Sequence, residues 1–177
     1  MLEDMRTVPL VASSIDAAAF APFGWLPLPD TDPDDGVQTL HFEWDDEHVN
    51  VIAHTADEVE RTPDGVLLCD RFFRHDTHTQ VLMPLDVEAV LAVAPAEIAL
   101  DDPAHLDRAR AFLLEPGEAI VLHRGTWHWG PYPLGEEPVR LFNVQGRRFL
   151  DDNRRADLSV TGARLGVTVP RSLLNRS

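Results

Sequence analysis

The chain contains no lysine: all 15 of its basic residues are arginine, set against 30 acidic ones for a net charge of −15. Without lysine there is no Schiff base and no ordinary pyridoxal phosphate attachment, whereas arginine remains for bidentate recognition of a carboxylate. So acidic a chain lacks the clustered cations that a phosphate backbone requires, which argues against nucleic acid as a partner. Cysteine is scarce as well. Cys69 stands alone, so there is neither an internal disulfide nor a thiolate metal cluster, and its setting in Val66-Leu67-Leu68-Cys69 is that of a small buried apolar residue. No apolar run nears the ~20 residues of a bilayer span, and Met1-Leu2-Glu3-Asp4 is acidic where a signal peptide is basic. The expectation is a cytoplasmic protein with no membrane partner.

What the chain does contain is a succession of short apolar runs between turn signals. The strands expected are Val8–Ala12, Gly24–Leu28, Val37–Trp44, Val49–His54, Val66–Phe73, Thr79–Pro84, Ala89–Ala94, Glu118–His123, Trp127–Gly130 and Val139–Gln145. Helix is brief: Ser14 or Asp16 caps one turn through Ala17-Ala18-Ala19-Phe20, and Pro103–Ala111 forms another. Ten short strands with Gly and Pro punctuation predict an all-β barrel or double-sheet jelly roll with a few short helices. Pro29 to Gly36 reads as an acidic, turn-rich exposed loop. At 177 residues with 44% hydrophobic content, the chain suits one domain. That domain is placed at 1–146. Residues 147–177 hold seven Arg against three Asp and read as an Arg-rich C-terminal extension, solvated or docked on its own acidic domain or a partner subunit.

Two segments carry the chemistry. In Pro116-Gly117-Glu118-Ala119-Ile120-Val121-Leu122-His123-Arg124-Gly125-Thr126-Trp127-His128-Trp129, Pro-Gly opens a turn, Ala119 to Leu122 form a buried strand, and Arg124-Gly125 turns the chain so that His128 begins another. In Arg71 to Leu85, strand alternation puts Phe73 and His75 on one face and Arg74 on the other, and Gln80 rejoins the side of His75 after a turn near Asp76–Thr79. Two imidazoles with near-neutral titration suit proton transfer, with Arg74 and Arg124 as positive charge for an anionic substrate.

The spacing resembles a cupin, whose metal-binding form has His-x-His-x4-Glu and later Gly-x5-Pro-x-Gly-x2-His. Here these positions read Phe73-Arg74-His75-x4-Gln80 and Gly117-x5-His123-Arg124-Gly125-x2-His128. The resemblance implies a cupin-type double-stranded β-helix, a jelly-roll barrel. His75, Gln80 and His128 are the metal set if an ion is bound, with His123 or His78 completing it, and the ion is a divalent metal such as Ni, Fe, Mn or Zn. The other option is no cofactor at all.

Within the cupins, the two segments resemble the ureidoglycolate lyases. The family's Glu-Arg-His-Pro and Ser/Thr-Gln-Ala-Phe-Ile-Pro correspond to Phe73-Arg74-His75-Asp76 and Thr79-Gln80-Val81-Leu82-Met83-Pro84. Its Gly-Val-Asn-Tyr-His-Arg-x-x-Trp-His-His-Pro is similar to Ala119 through Trp129, and Phe20-Ala21-Pro22-Phe23-Gly24 fits its start. Phe73, Val121, Trp129 and Leu141 stand where the family has polar groups, which implies a less polar substrate or a related lyase reaction.

The resemblance implies cleavage of ureidoglycolate, or a related small hydroxy acid or amide, to glyoxylate and urea. It assigns His75, His128 and His123 as catalytic candidates and Arg74 or Arg124 as carboxylate anchors. Gln80 orients the substrate, Phe73 and Trp127 form wall, and Trp129 and Tyr132 line the mouth. A homodimer is implied as the assembly. Two alternatives from other classes stand beside it: a metal-dependent cupin oxygenase or isomerase, and a cupin that binds a small molecule without turnover.

Overall fold

The computed structural model describes residues 5–29 and 38–174. The strands are β1 (Arg6–Ser14), β2 (Gly24–Trp25), β3 (Glu47–His54), β4 (Leu67–Cys69), β5 (Arg71–His75), β6 (Gln80–Pro84), β7 (Ala89–Ala94), β8 (Arg110–Leu114), β9 (Ile120–Leu122), β10 (Trp127–Pro133), β11 (Val139–Gly146), β12 (Asn153–Asp157) and β13 (Ala163–Thr168). Among the described residues, helix is confined to α1 (Ala17–Phe20), α2 (Arg171–Leu174) and three short 3-10 segments. Eight strands form one sheet in the order β12-β5-β10-β7-β8-β1-β13-β4, and five form a second in the order β2-β9-β6-β11-β3. The fold is the expected all-β cupin-type barrel. Among the described residues, no helix is long and apolar enough to cross a membrane.

Strand β7 shows how the layers are built. Ala89, Leu91 and Val93 face a core shared by the two sheets, with Phe20, Leu82, Phe112, Ile120 and Leu141. Val90, Ala92 and Ala94 face a second core on the other side of the eight-stranded sheet, with Phe72, Leu106, Trp129 and Leu165. A strand buried on both faces reads as an unbroken apolar run, as Ala89-Val90-Leu91-Ala92-Val93-Ala94 does.

Several expected elements differ. The stretch Val37–Trp44, expected as a strand, lies outside the described residues at Val37 and elsewhere forms only an isolated bridge from Phe42 to His78. The chain then turns at Asp45, whose φ of 51° is tolerated by a short polar side chain and ends any extended run. Residues 30–36 of the acidic loop lie outside the described residues. The strand from Gly24 stops at Trp25 because Pro27 and Pro29 have no N–H for a ladder. Pro103–Ala111, expected as helix, is a 3-10 segment only to Arg108. Arg110–Leu114 instead forms β8 between β7 and β1, since burying Ala111 through Leu114 outweighs helix propensity.

The Arg-rich stretch following residue 146 also enters the sheet. β12 pairs with β5 from Asn153↔His75 to Asp157↔Arg71, while β13 pairs in parallel with β1 and antiparallel with β4. Leu158, Leu165 and Val167 are buried by this docking. Its arginines meet the acidic body: Arg154 with Asp76 at 2.7 Å, Arg148 with Asp46 at 3.3 Å and Arg164 with Glu60 at 3.5 Å. Such exposed pairs contribute only ~0–1 kcal/mol each, so strand pairing and apolar burial dominate. A chain ending at Gly146 is therefore expected to lose its cooperative melting transition by calorimetry; a sharp melt close to that of the full chain would show that β12 and β13 are dispensable.

Candidate functional site

Strands β5 and β10 lie side by side with His128 directly opposite Phe73, and cross-strand partners share a face. Alternation then places His75, two residues on, beside His128, with ring centroids 5.5 Å apart. The other wall comes from the five-stranded sheet, where Gln80 and Leu82 on β6, Gln145 on β11 and Asn50, Ile52 and His54 on β3 face inward. With Tyr132, Phe149 and Asn153 they line a cavity of about 270 Å³. The core of Leu82, Ile120, Leu122 and Leu141 is the barrel's apolar filling.

A network of amides orients Gln80. Its Nε2 donates to Asn143 Oδ1 at 2.9 Å and to Gln145 Oε1 at 3.2 Å, and Asn143 Nδ2 donates to Asn50 Oδ1 at 2.8 Å. The Gln80 Oε1 atom is buried and has no hydrogen-bond partner. A buried acceptor in this state costs about 1–3 kcal/mol unless a ligand fills it.

His78 lies under this wall, its ring stacked on His75 with centroids 4.6 Å apart and planes at 23°. Its Nδ1 donates to the Thr79 carbonyl at 3.1 Å. The ring fits because residue 146 is glycine: a Cβ there would lie 2.6 Å from His78 Cδ2. Asp152, from the β11–β12 connection, accepts from the Thr77 N–H at 2.8 Å and from Thr77 Oγ1 at 2.6 Å. His75, His78 and Asp152 have donor atoms within 4.8 Å of one another. This buried group of two imidazoles and one carboxylate is able to bind a metal ion.

Burial sets the charge of the site. Desolvation, together with the nearby His128 and His78, pushes His75 from 6.5 down to about 3. Desolvation likewise takes His128 down to about 4, against the opposing pull of its hydrogen bond with the Thr126 carbonyl. His78 is lowered by burial too. Burial works to raise Asp152, but its bonds from Thr77 hold the carboxyl below its ordinary 3.8. At neutral pH the site therefore holds neutral imidazoles and one carboxylate.

The expected site residues divide by the pleat. His75, His128, Gln80 and Phe73 face the cavity together. Arg74 does not. It points to the opposite face, where its guanidinium stacks 4.5 Å from the Trp127 ring centroid, pairs with Asp76 at 3.1 Å and donates to the Ala96 carbonyl. Trp127, assigned to the pocket wall, packs with it there and donates from Nε1 to the Ile98 carbonyl at 3.2 Å. Trp129, expected at the mouth, is buried in the second core edge-on to Tyr132; flanking His128 on a strand, both tryptophans must take the other face. Tyr132 does reach the cavity, because the register of β10 shifts between Trp129 and Tyr132.

His123 is exposed beyond the end of β9, with Nε2 3.3 Å from the Ala21 carbonyl and its ring against Trp25. Arg124 is exposed in the same turn. Among the described residues, no arginine lines the cavity. Sequence reasoning passed over Asp152, which lies in a stretch whose local pattern is only charged turn; its role exists only once Thr77 is beside it. His54 also lines the cavity, a placement set by the register of β3 against β11.

The family model described as ureidoglycolate lyase matches residues 37–159, well over half of the chain. The chain belongs to the ureidoglycolate lyase family. That match spans every strand of the cavity, from β3 to β12, and supports a lyase as the general activity. A search of curated proteins finds no significant match.

The lowered histidines make stability depend on pH. The unfolded chain takes up protons near pH 6.5, whereas folded His128 and His75 resist until about 4 and about 3. Their contribution is complete above pH 6.5 and is lost as pH falls below it, at up to about 1.4 kcal/mol per pH unit for each group. The urea midpoint of chelator-treated protein should therefore be clearly lower at pH 5 than at pH 7.5; equal midpoints would mean that these rings are protonated in the fold.

Proposed function

We propose that this protein cleaves the carbon–nitrogen bond of ureidoglycolate, or of a closely related small carbinolamide acid, to release glyoxylate and urea. The observation that carries the reading is a neutral imidazole on one wall of the cavity, His128, opposite an unpartnered amide oxygen on the other, Gln80 Oε1. A ureido group presents N–H donors, and an oxygen with an unfilled lone pair is their natural acceptor. The inward amides of Asn50 and Gln145 extend the same recognition.

The Thr126 carbonyl can only accept, so the 3.2 Å contact with His128 fixes the ring proton on Nδ1. Nε2 is thereby left with its lone pair. It takes the substrate hydroxyl proton, the carbon–oxygen bond becomes a carbonyl, and the electron pair of the carbon–nitrogen bond leaves with the urea nitrogen. The imidazolium then returns the proton to that nitrogen. A conjugate acid with pKa about 4 is a strong donor to a poor leaving group, and such proton transfer contributes about 10²–10⁴-fold. His75 stands on the same wall as the second imidazole. Phe73, Ile52 and Leu82 make part of the cavity apolar; of the four substituted positions, Phe73 alone is among the residues that line it, whereas Trp129 and Leu141 belong to the cores.

Glyoxylate release from ureidoglycolate, followed by trapping of the aldehyde, is the direct test. The His128→Gln variant is expected to lose about 10²–10⁴-fold in kcat with its fold intact. Absence of release by well-folded protein, across ureidoglycolate and related carbinolamide acids, would overturn the assignment.

A further inference from the structure

We propose that His75, His78 and Asp152 hold one divalent transition-metal ion of the zinc, nickel or cobalt class beside the cavity that His75 lines. Three donors of suitable chemistry come within 4.8 Å of one another at a buried point. Two imidazoles and a carboxylate form a mixed nitrogen and oxygen set that such ions accept and that calcium or magnesium disfavours.

The ring nitrogens provide the independent observation. His75 Nδ1 and His78 Nε2 are both buried and both lack a hydrogen-bond partner. Among the described residues, these orphans fall in the same small group as the carboxylate, with His78 Nε2 4.0 Å from Asp152 Oδ2. Buried polar groups without partners are rare, and two such ring nitrogens in one group with a carboxylate are what a cation site requires.

The surrounding contacts prepare the donors as a metal site requires. The Thr79 carbonyl fixes the His78 proton on Nδ1, which turns the Nε2 lone pair toward Asp152. Thr77 holds the Asp152 carboxylate by two short bonds. Gly146 leaves the space that the His78 ring occupies. This donor set differs from the His75, Gln80 and His128 set that the cupin spacing implied; His128 is not among its three ligands.

An ion at this point also answers an electrostatic need. Among the described residues no arginine lines the cavity, and a cation held beside it would supply positive charge for an entering carboxylate. That consequence rests on the lyase reading; metal binding itself does not.

The experiment uses the full chain made without a histidine tag, stripped with chelator and titrated with Co²⁺ at neutral pH. One equivalent is expected, with visible d–d absorption and a rise in Tm that follows from binding to the folded state alone. The His78→Ala and Asp152→Asn variants should each weaken binding by about 100-fold or more, while His105→Ala, a half-buried histidine elsewhere, retains full stoichiometry. Uptake of no ion by folded protein would overturn the proposal, as would unchanged affinity in both variants. Should a variant fail to fold, extended X-ray absorption on the intact cobalt protein decides: two imidazoles in the first coordination sphere support the site, and fewer refute it. Metal uptake is measured without substrate, so its failure and the absence of glyoxylate release are separate results.

Discussion

The pairing of β10 with β5 at His128 and Phe73 is the constraint on which the rest of the site depends. It determines that Phe73, His75 and His128 share a face, and the pleat then sends Arg74, Trp127 and Trp129 to the other. Because β7 and β10 are buried on both faces, the two faces serve different ends. One completes an apolar core under the N- and C-terminal strands; the other turns its polar groups into the cavity. A one-residue slip of β10 would exchange the functions of these faces completely.

The polar wall is bound to that frame by contacts far apart in sequence. Gln80 is oriented by Asn143 and Gln145, and Asn143 in turn by Asn50. His78 owes its position to Gly146, and Asp152 to Thr77. Each link joins residues more than sixty positions apart, so the site exists only when both sheets are assembled. Burial then keeps the imidazoles neutral, the form that either accepts a proton or binds a metal. One environment thus prepares both chemistries proposed for the site.

The C-terminal stretch shows what a local reading of charge leaves open. Seven arginines among 31 residues fit either a solvated tail or one docked on the acidic domain; the apolar Leu158, Leu165 and Val167 carry the stretch into the sheet, and Arg148, Arg154 and Arg164 meet acidic partners. Short strands of this kind give weak local signals, because their stability comes from the neighbours they meet. The same physics explains β8, where Arg110–Leu114 reads as the end of a helix until β7 and β1 are placed on either side of it.

The sequence by itself determined the all-β class and the family, and it singled out Phe73, His75, Gln80 and His128, four of the residues that face the cavity, since period-2 alternation and motif spacing are local properties. It also anticipated the ambiguity of Arg74, because alternation set that side chain opposite His75. Only the tertiary structure decided that Trp129 is core, that no arginine among the described residues lines the cavity, and that His78 and Asp152 join His75. Those outcomes depend on which strands become neighbours and on what each burial excludes from water, and neither is encoded in any single stretch of chain.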